Sequence, residues 1–140
     1  MDMRDSPPPR HEEGRLFALL ALNIASSAVH YIDNILRWSL YPEPAWDNVR
    51  LTDTFWFLMT PVGILAYVLY RRGSRQMGLT LNYVYGAMNL VVLGHYLFAS
   101  PWAVSLSVNA SILFETATAA CLLAYTAWLK AGEEPLRFEA

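Results

Sequence analysis

The sequence predicts an all-α membrane protein, a four-transmembrane-helix bundle with both termini cytoplasmic. Of its 140 residues 55% are hydrophobic and only 16% charged, whereas an ordinary soluble domain carries about 25% charged residues. The charged residues crowd into the ends and two short loops. Between them lie four apolar stretches of roughly 20 residues or more, the length that ~30 Å of hydrocarbon requires. Length and composition therefore indicate one polytopic domain in a lipid bilayer.

Four spans follow one another along the chain. The Pro-rich, mixed-charge segment 1–15 is predicted to be a disordered arm, residues 16–130 the membrane domain, and residues 131–140 a C-terminal tail. The arm is not net positive, so the first span is interpreted as a retained helix and not as a signal peptide. Prolines end the first span and stop the third. The predicted spans are Leu16–Leu40, Leu51–Tyr70, Leu79–Ala99 and Val104–Leu129.

The basic residues predict the orientation. The side that holds both termini and the second loop carries eight Lys and Arg residues, and the opposite side carries only Arg37 and Arg50. Positive residues accumulate on the cytoplasmic side of membrane proteins, so both termini are expected there. Trp38, Trp46 and Trp102 gather at the predicted outer boundary, as an aromatic belt would.

Net charge and cysteine content exclude several classes of protein. A net charge of −2 and a single cysteine leave no basic surface for nucleic acid, no internal disulfide and no thiolate metal cage. Cys121 is interpreted as a small core residue. No cofactor is predicted.

The first span carries a polar stripe. Its polar residues recur at spacings of three and one, which places them on one helical face over four turns. A charge at the bilayer centre costs about 2.5–3.5 kcal/mol, so this face must meet other helices or a cavity. The stripe comprises Asn23, Ser26, Ser27, His30, Asp33, Asn34 and Arg37.

Depth along the helices predicts a pocket in the outer half. His30 and Glu115 fall about 3 Å outward of the midplane, so Glu115, His30 and Asp33 are the candidate catalytic residues. The candidate ligand-binding residues are Asn34, Asp53, Asn89, His95 and Trp46. Each has a structural alternative: Glu115 and the His30–Asp33 pair can simply clasp helices, and Asp53 can cap the second span.

Two further expectations concern the rim of this pocket. Counted at 100° per residue, His95 lies about 120° around the third span from Asn89. The rigid segment Tyr41–Trp46 is either a lid, with Glu43 adding a charge, or a turn with interfacial anchors. Arg37 is expected to pair with Asp33 or Asp53.

The chain resembles small four-span bacterial membrane proteins and the EXPERA group, which includes emopamil-binding sterol isomerases and the sigma-2 receptor. The similar features are His30 and Asp33 in span one, Pro44-Ala45-Trp46 before span two, and the basic turn before span three. The resemblance implies a helical bundle that holds a hydrophobic ligand against buried acidic and histidine side chains. It also implies a multi-pass protein of the bacterial inner membrane.

Three functions are consistent with these residues. The first is binding or isomerising a small lipophilic ligand, sterol-like or isoprenoid, with Glu115 and His30 as acid and base. The second is a metal or haem site, although His30 and His95 are expected to differ in depth by roughly 7 Å. The third is a non-catalytic subunit, either as a homo-oligomer or in a larger membrane complex.

Overall fold

The computed structural model describes residues 8–133, and in that range the chain forms helices and connections without a strand. The α-helices are α1 (Arg10–Leu36), α2 (Val49–Arg71), α3 (Arg75–Asn89) and α4 (Leu106–Glu133). A 3₁₀ turn, Trp38–Leu40, follows α1, and a longer 3₁₀ segment, Leu90–Leu97, continues α3. Four helical stretches are long and apolar enough to cross a membrane.

The helices pack as a bundle in which α1 contacts α2 and α4, and α3 contacts α2 and α4. Because consecutive helices reverse direction, the bundle has two distinct ends. We call the end with the α1–α2 and α3–α4 connections the connection end. The opposite end, with the start of α1, the α2–α3 turn and the close of α4, is the terminal end.

From Asn23 onward, the polarity of α1 is the reverse of that of a helix in a soluble bundle. The buried side of α1 carries Asn23, Ser26, Ser27, His30 and Asn34. Large apolar side chains of the same helix, Phe17, Val29 and Ile32 among them, are exposed. The predicted inward polar stripe is therefore confirmed, and an apolar outer surface is what a lipid environment requires.

An apolar core fills the terminal end. Leu16 and Leu20 of α1 pack there with Tyr70, Leu79 and Leu129. The α2–α3 turn is tight because Gly73 adopts a left-handed conformation, with φ of 95°. The amides of Gly73 and Ser74 donate to the carbonyls of Tyr70 and Leu69, which is the Schellman pattern that closes a helix.

The first helix begins earlier than the sequence pattern indicated. Residues 10–15, predicted as part of a disordered arm, are helical. The charges that suggested disorder are paired across the terminal end: Glu12 bonds Arg75 at 3.2 Å, and Glu13 bonds Arg71 at 3.2 Å. The rest of the predicted arm up to residue 7, and the tail beyond residue 133, lie outside the described residues.

Two other local predictions differ from the structure. The first α-helix ends at Leu36 and not at Leu40, because the chain tightens there into a 3₁₀ turn. Cys121 is exposed on the bundle surface and is not a core residue. Its neighbours Ala119 and Leu122 supply the buried face of α4 at this level.

Candidate functional site

A cavity of about 380 Å³ opens near the connection end. It lies between α1, α2, the 3₁₀ segment after α3, and the α1–α2 connection. Most of its wall is apolar or aromatic, with Phe55, Met88 and Phe98 as large contributors. The polar residues that line it are His30, Asn34, Glu43, Asp47, Thr52, Asn89, His95 and Glu115.

Two imidazoles face each other in this wall. Nε2 of His30 lies 3.4 Å from Nε2 of His95, and the ring centroids are 5.4 Å apart. His30 is almost fully buried, with 2% of its surface exposed. Its other nitrogen, Nδ1, lies 3.1 Å from Oγ of Ser111 and 3.9 Å from Oε2 of Glu115.

The 3₁₀ segment explains how His95 reaches His30. At three residues per turn, six residues complete two turns, so His95 returns to the side of the helix that holds Asn89. The predicted angular separation of about 120° assumed α-helical geometry throughout and is wrong. The expected difference in depth likewise fails to keep the two rings apart, since their Nε2 atoms are in contact distance.

Glu43 reaches the site from the α1–α2 connection. Its Oε1 accepts a hydrogen bond of 2.7 Å from Nδ2 of Asn34 and lies 3.5 Å from Nδ1 of His95. Burial raises the pKa of the Glu43 carboxyl, and the hydrogen bond from Asn34 opposes that shift. Glu43 therefore joins α1 to the 3₁₀ segment across the cavity.

Several buried oxygens in the cavity wall have no hydrogen-bond partner. They are Oε2 of Glu115, Oδ1 of Asn34 and Oδ1 of Asn89. The amide orientations are fixed, because Nδ2 of Asn34 donates to Glu43 and Nδ2 of Asn89 donates to the carbonyl of Tyr85. All three unsatisfied atoms are acceptors, and buried acceptors without donors are costly.

Among the described residues, no Lys or Arg lines the cavity. The guanidinium of Arg37, the residue that follows α1, is bonded to Asp33 and donates to Ser107 at 2.8 Å. The Arg37–Asp33 pairing predicted from the sequence is thus present. The wall carries three acidic side chains, Glu43, Asp47 and Glu115, and its basic groups among the described residues are the imidazoles of His30 and His95.

Asp33 does not join His30 and Glu115 in the cavity wall. Its carboxylate accepts a 2.5 Å hydrogen bond from the hydroxyl of Tyr41 as well as the contact from Arg37. Burial raises the pKa of Tyr41, and the hydrogen bond to Asp33 adds to this rise. Asp33 therefore fixes the start of the α1–α2 connection.

The other predicted site residues fall into two groups. His30, Glu115, Asn34, Asn89, His95 and Trp46 all line the cavity, whereas Asp53 does not. Asp53 does not cap α2 either, because the side chain of Asn48 accepts from the Leu51 amide. Within the segment predicted as a lid or a turn, Glu43, Pro44 and Trp46 form part of the cavity wall.

Sequence reasoning gave Glu43 and Ser111 too little weight. Ser111 lies four residues before Glu115, which places both on one side of α4, and it contacts His30. Glu43 lies in an irregular segment, where no helical period predicts the direction of a side chain. Its position between two prolines was the only available signal.

A hydrogen-bonded seam joins α1 to α4 on the terminal-end side of His30 and Glu115. Oγ1 of Thr118 accepts from Nδ2 of Asn23 at 3.0 Å and lies 2.6 Å from Oγ of Ser26. Between α3 and α4, Nδ2 of Asn82 donates to Oγ1 of Thr126 at 2.6 Å. These residues are buried and none of them lines the cavity.

Comparison with protein-family models, with curated proteins and with solved structures finds no match to this chain. The geometry and chemistry of the cavity are therefore the basis for assigning a function to this protein.

Proposed function

We propose that this multi-pass membrane protein binds a small lipophilic molecule, sterol-like or isoprenoid, whose polar end is positively charged or donates hydrogen bonds. We further propose that both termini are cytoplasmic, so that the cavity lies in the outer half of a bacterial inner membrane. The distribution of basic residues supports this orientation.

One observation carries the proposal. The cavity combines an apolar wall with buried oxygen acceptors that lack donors, namely those of Glu115, Asn34 and Asn89. A ligand with an ammonium group or several N–H or O–H donors would satisfy them. A carboxylate or phosphate ligand would instead meet the acidic side chains of Glu43, Asp47 and Glu115 and, among the described residues, no Lys or Arg.

The rest of the wall suits the body of such a ligand. Phe55, Met88, Val91 and Phe98 provide apolar contact, and Trp46 lies at the edge with 71% of its surface exposed. Pockets for small molecules usually have this anatomy, with a few polar groups in an apolar wall. Aromatic rings near the carboxylates would also favour a cationic end through cation–π contact.

The same groups support a proposed proton transfer. Nδ1 of His30 lies 3.9 Å from Oε2 of Glu115. A ligand polar group beside these two atoms would lie within reach of both side chains, one acting as base and the other as acid. Isomerisation of a double bond needs such a pair, because one proton is removed and another is added elsewhere.

Binding can be tested by thermal unfolding of the purified protein in detergent with farnesylamine and, for comparison, farnesol. We expect farnesylamine to stabilise the protein more than farnesol does. At about 100 times Kd the linkage contributes about 2.7 kcal/mol. Glu115→Gln should remove most of the difference, since it deletes the charge but keeps the side-chain size.

Asp53→Asn is the matched control, because it neutralises an acid of α2 that does not line the cavity. It should leave the farnesylamine effect intact. If Glu115→Gln and wild type are stabilised equally, or if neither amine nor alcohol stabilises wild type, the proposed ligand class is wrong.

A further inference from the structure

We infer that His30 and His95 form a binding site for a transition-metal ion of the zinc class, held between their two Nε2 atoms. This inference rests on the geometry of the imidazoles and not on the lipophilic ligand, so the two proposals can fail separately.

The distance between the nitrogens is the first argument. The Nε2 atoms are 3.4 Å apart, which is longer than the usual 2.7–3.2 Å of an N–H hydrogen bond. Two imidazoles bound to one tetrahedral zinc ion at about 2.0–2.1 Å each have their nitrogens about 3.3–3.4 Å apart. The 5.4 Å between ring centroids shows that the Nε2 edges face each other.

The groups behind the rings are the second argument. Nδ1 of His95 lies 3.5 Å from a Glu43 oxygen, and Nδ1 of His30 lies 3.1 Å from the Ser111 hydroxyl. Metal-bound histidines commonly donate their second N–H to such acceptors. If both Nδ1 atoms carry the proton, both Nε2 atoms present lone pairs, which a metal ion can use as ligands.

The surrounding charge favours a cation in the same place. Glu115 lies 3.9 Å from Nδ1 of His30, on the far side of the ring from Nε2, and its Oε2 has no hydrogen-bond partner. Glu43 and Asp47 also line the cavity, and no Lys or Arg among the described residues offsets them there. A divalent ion would reduce this uncompensated negative charge.

Two histidine ligands would leave the other coordination positions of the ion without a protein ligand. Among the described residues, no ready-made group of three or more His, Cys, Asp or Glu side chains surrounds a metal position. The remaining coordination positions would face the cavity and take water or a ligand oxygen or nitrogen. Such a site binds more weakly than a four-ligand structural site and keeps room for a substrate.

The test is Co²⁺ binding to the full-length protein in detergent, followed by visible absorption and by displacement with Zn²⁺. We expect one ion per chain and Co²⁺ absorption bands that require both histidines. His30→Gln and His95→Gln should each lower the apparent affinity at least tenfold. His11→Gln is the matched control, because His11 is exposed in the first turn of α1 at the terminal end.

Nuclear magnetic resonance of ¹⁵N-histidine wild type keeps the test independent of variant folding. Zn²⁺ should give two imidazoles with a proton on Nδ1 and none on Nε2. The inference is overturned if one Nε2 stays protonated at saturating Zn²⁺, if Co²⁺ does not bind at millimolar concentration, or if the His30 and His95 variants bind it like wild type. Repeating the farnesylamine measurement in a chelator reports on the lipophilic ligand alone.

Discussion

Gly78 sets the closest approach between α2 and α3. A Cβ atom at this position would lie 2.5 Å from the Tyr70 amide nitrogen and 2.8 Å from the Ala66 carbonyl oxygen. Both are backbone atoms and cannot rotate away. In a membrane protein, such small residues let helices pack closely where no hydrophobic force drives them together.

Gly78→Ala should therefore destabilise the bundle by about 1–3 kcal/mol, the usual cost of overpacking. Unfolding in a series of mixed-detergent solutions would measure the change. Gly132→Ala provides the control, because nothing lies within 4 Å of its Cβ position, and a helical Gly→Ala change there should be neutral or slightly stabilising. Equal unfolding free energies of the two variants would show that the bundle accommodates a methyl group at Gly78 without losing stability.

At the scale of single residues the sequence predicted the inward face of α1 well, because a charge or amide in lipid is so costly that only one orientation is allowed. Asn23, His30 and Asn34 are buried as that argument requires. It did not predict the partner of each side chain. Asp33 is bonded to Tyr41, a residue beyond the helix whose position depends on an irregular turn.

At the scale of elements, the change from α-helix to 3₁₀ helix after Asn89 decides the site. The sequence offers no proline or glycine at the change itself, so a uniform helix was predicted and His95 was assigned to another side. The physical consequence is large because each residue then turns about 120° and not 100°. Three residues per turn align Asn89, Val92 and His95, all of which line the cavity.

The α1–α2 connection is the other element that forms the cavity, and Asp33 holds its first turn. Asp33→Asn should weaken the contacts to the partly exposed Arg37 and the buried Tyr41 by about 1–2 kcal/mol. We expect amide hydrogen exchange over Tyr41–Asp47 to accelerate on the order of tenfold. Asp53→Asn should leave it unchanged. If exchange in Asp33→Asn is unaltered, Asp33 does not hold the α1–α2 connection in place, and its prolines alone would account for its rigidity.

At the scale of the whole molecule, the arrangement of polar and apolar surface makes an aqueous environment unsuitable. Large side chains such as Leu36, Leu97 and Leu106 are more than three-quarters exposed. The buried interior contains amides, hydroxyls, a histidine and a glutamate beside its apolar core. A bilayer satisfies the outer surface, and helix–helix hydrogen bonds satisfy much of the inner one.

The proposed orientation predicts which connections are accessible from outside the cell. In a Cys121→Ser background, Ser100→Cys should react with a membrane-impermeant maleimide in intact cells. Ser74→Cys, also an exposed serine, should react only after lysis. This pattern is expected because Lys and Arg residues accumulate on the cytoplasmic side, where the α2–α3 turn and both termini would lie. The opposite labelling pattern would reverse the orientation, and labelling of both in intact cells would contradict a bundle with four crossings.

The seam of Asn23, Ser26 and Thr118 affects how a ligand can enter and leave the cavity. Its hydrogen bonds join α1 to α4 on the terminal-end side of His30, next to the Leu16–Leu20 core. With these bonds formed, a ligand is expected to enter and leave the cavity at the connection end. Such a bundle can bind a ligand or change it chemically. Transport of a solute across the membrane would require α1 and α4 to separate.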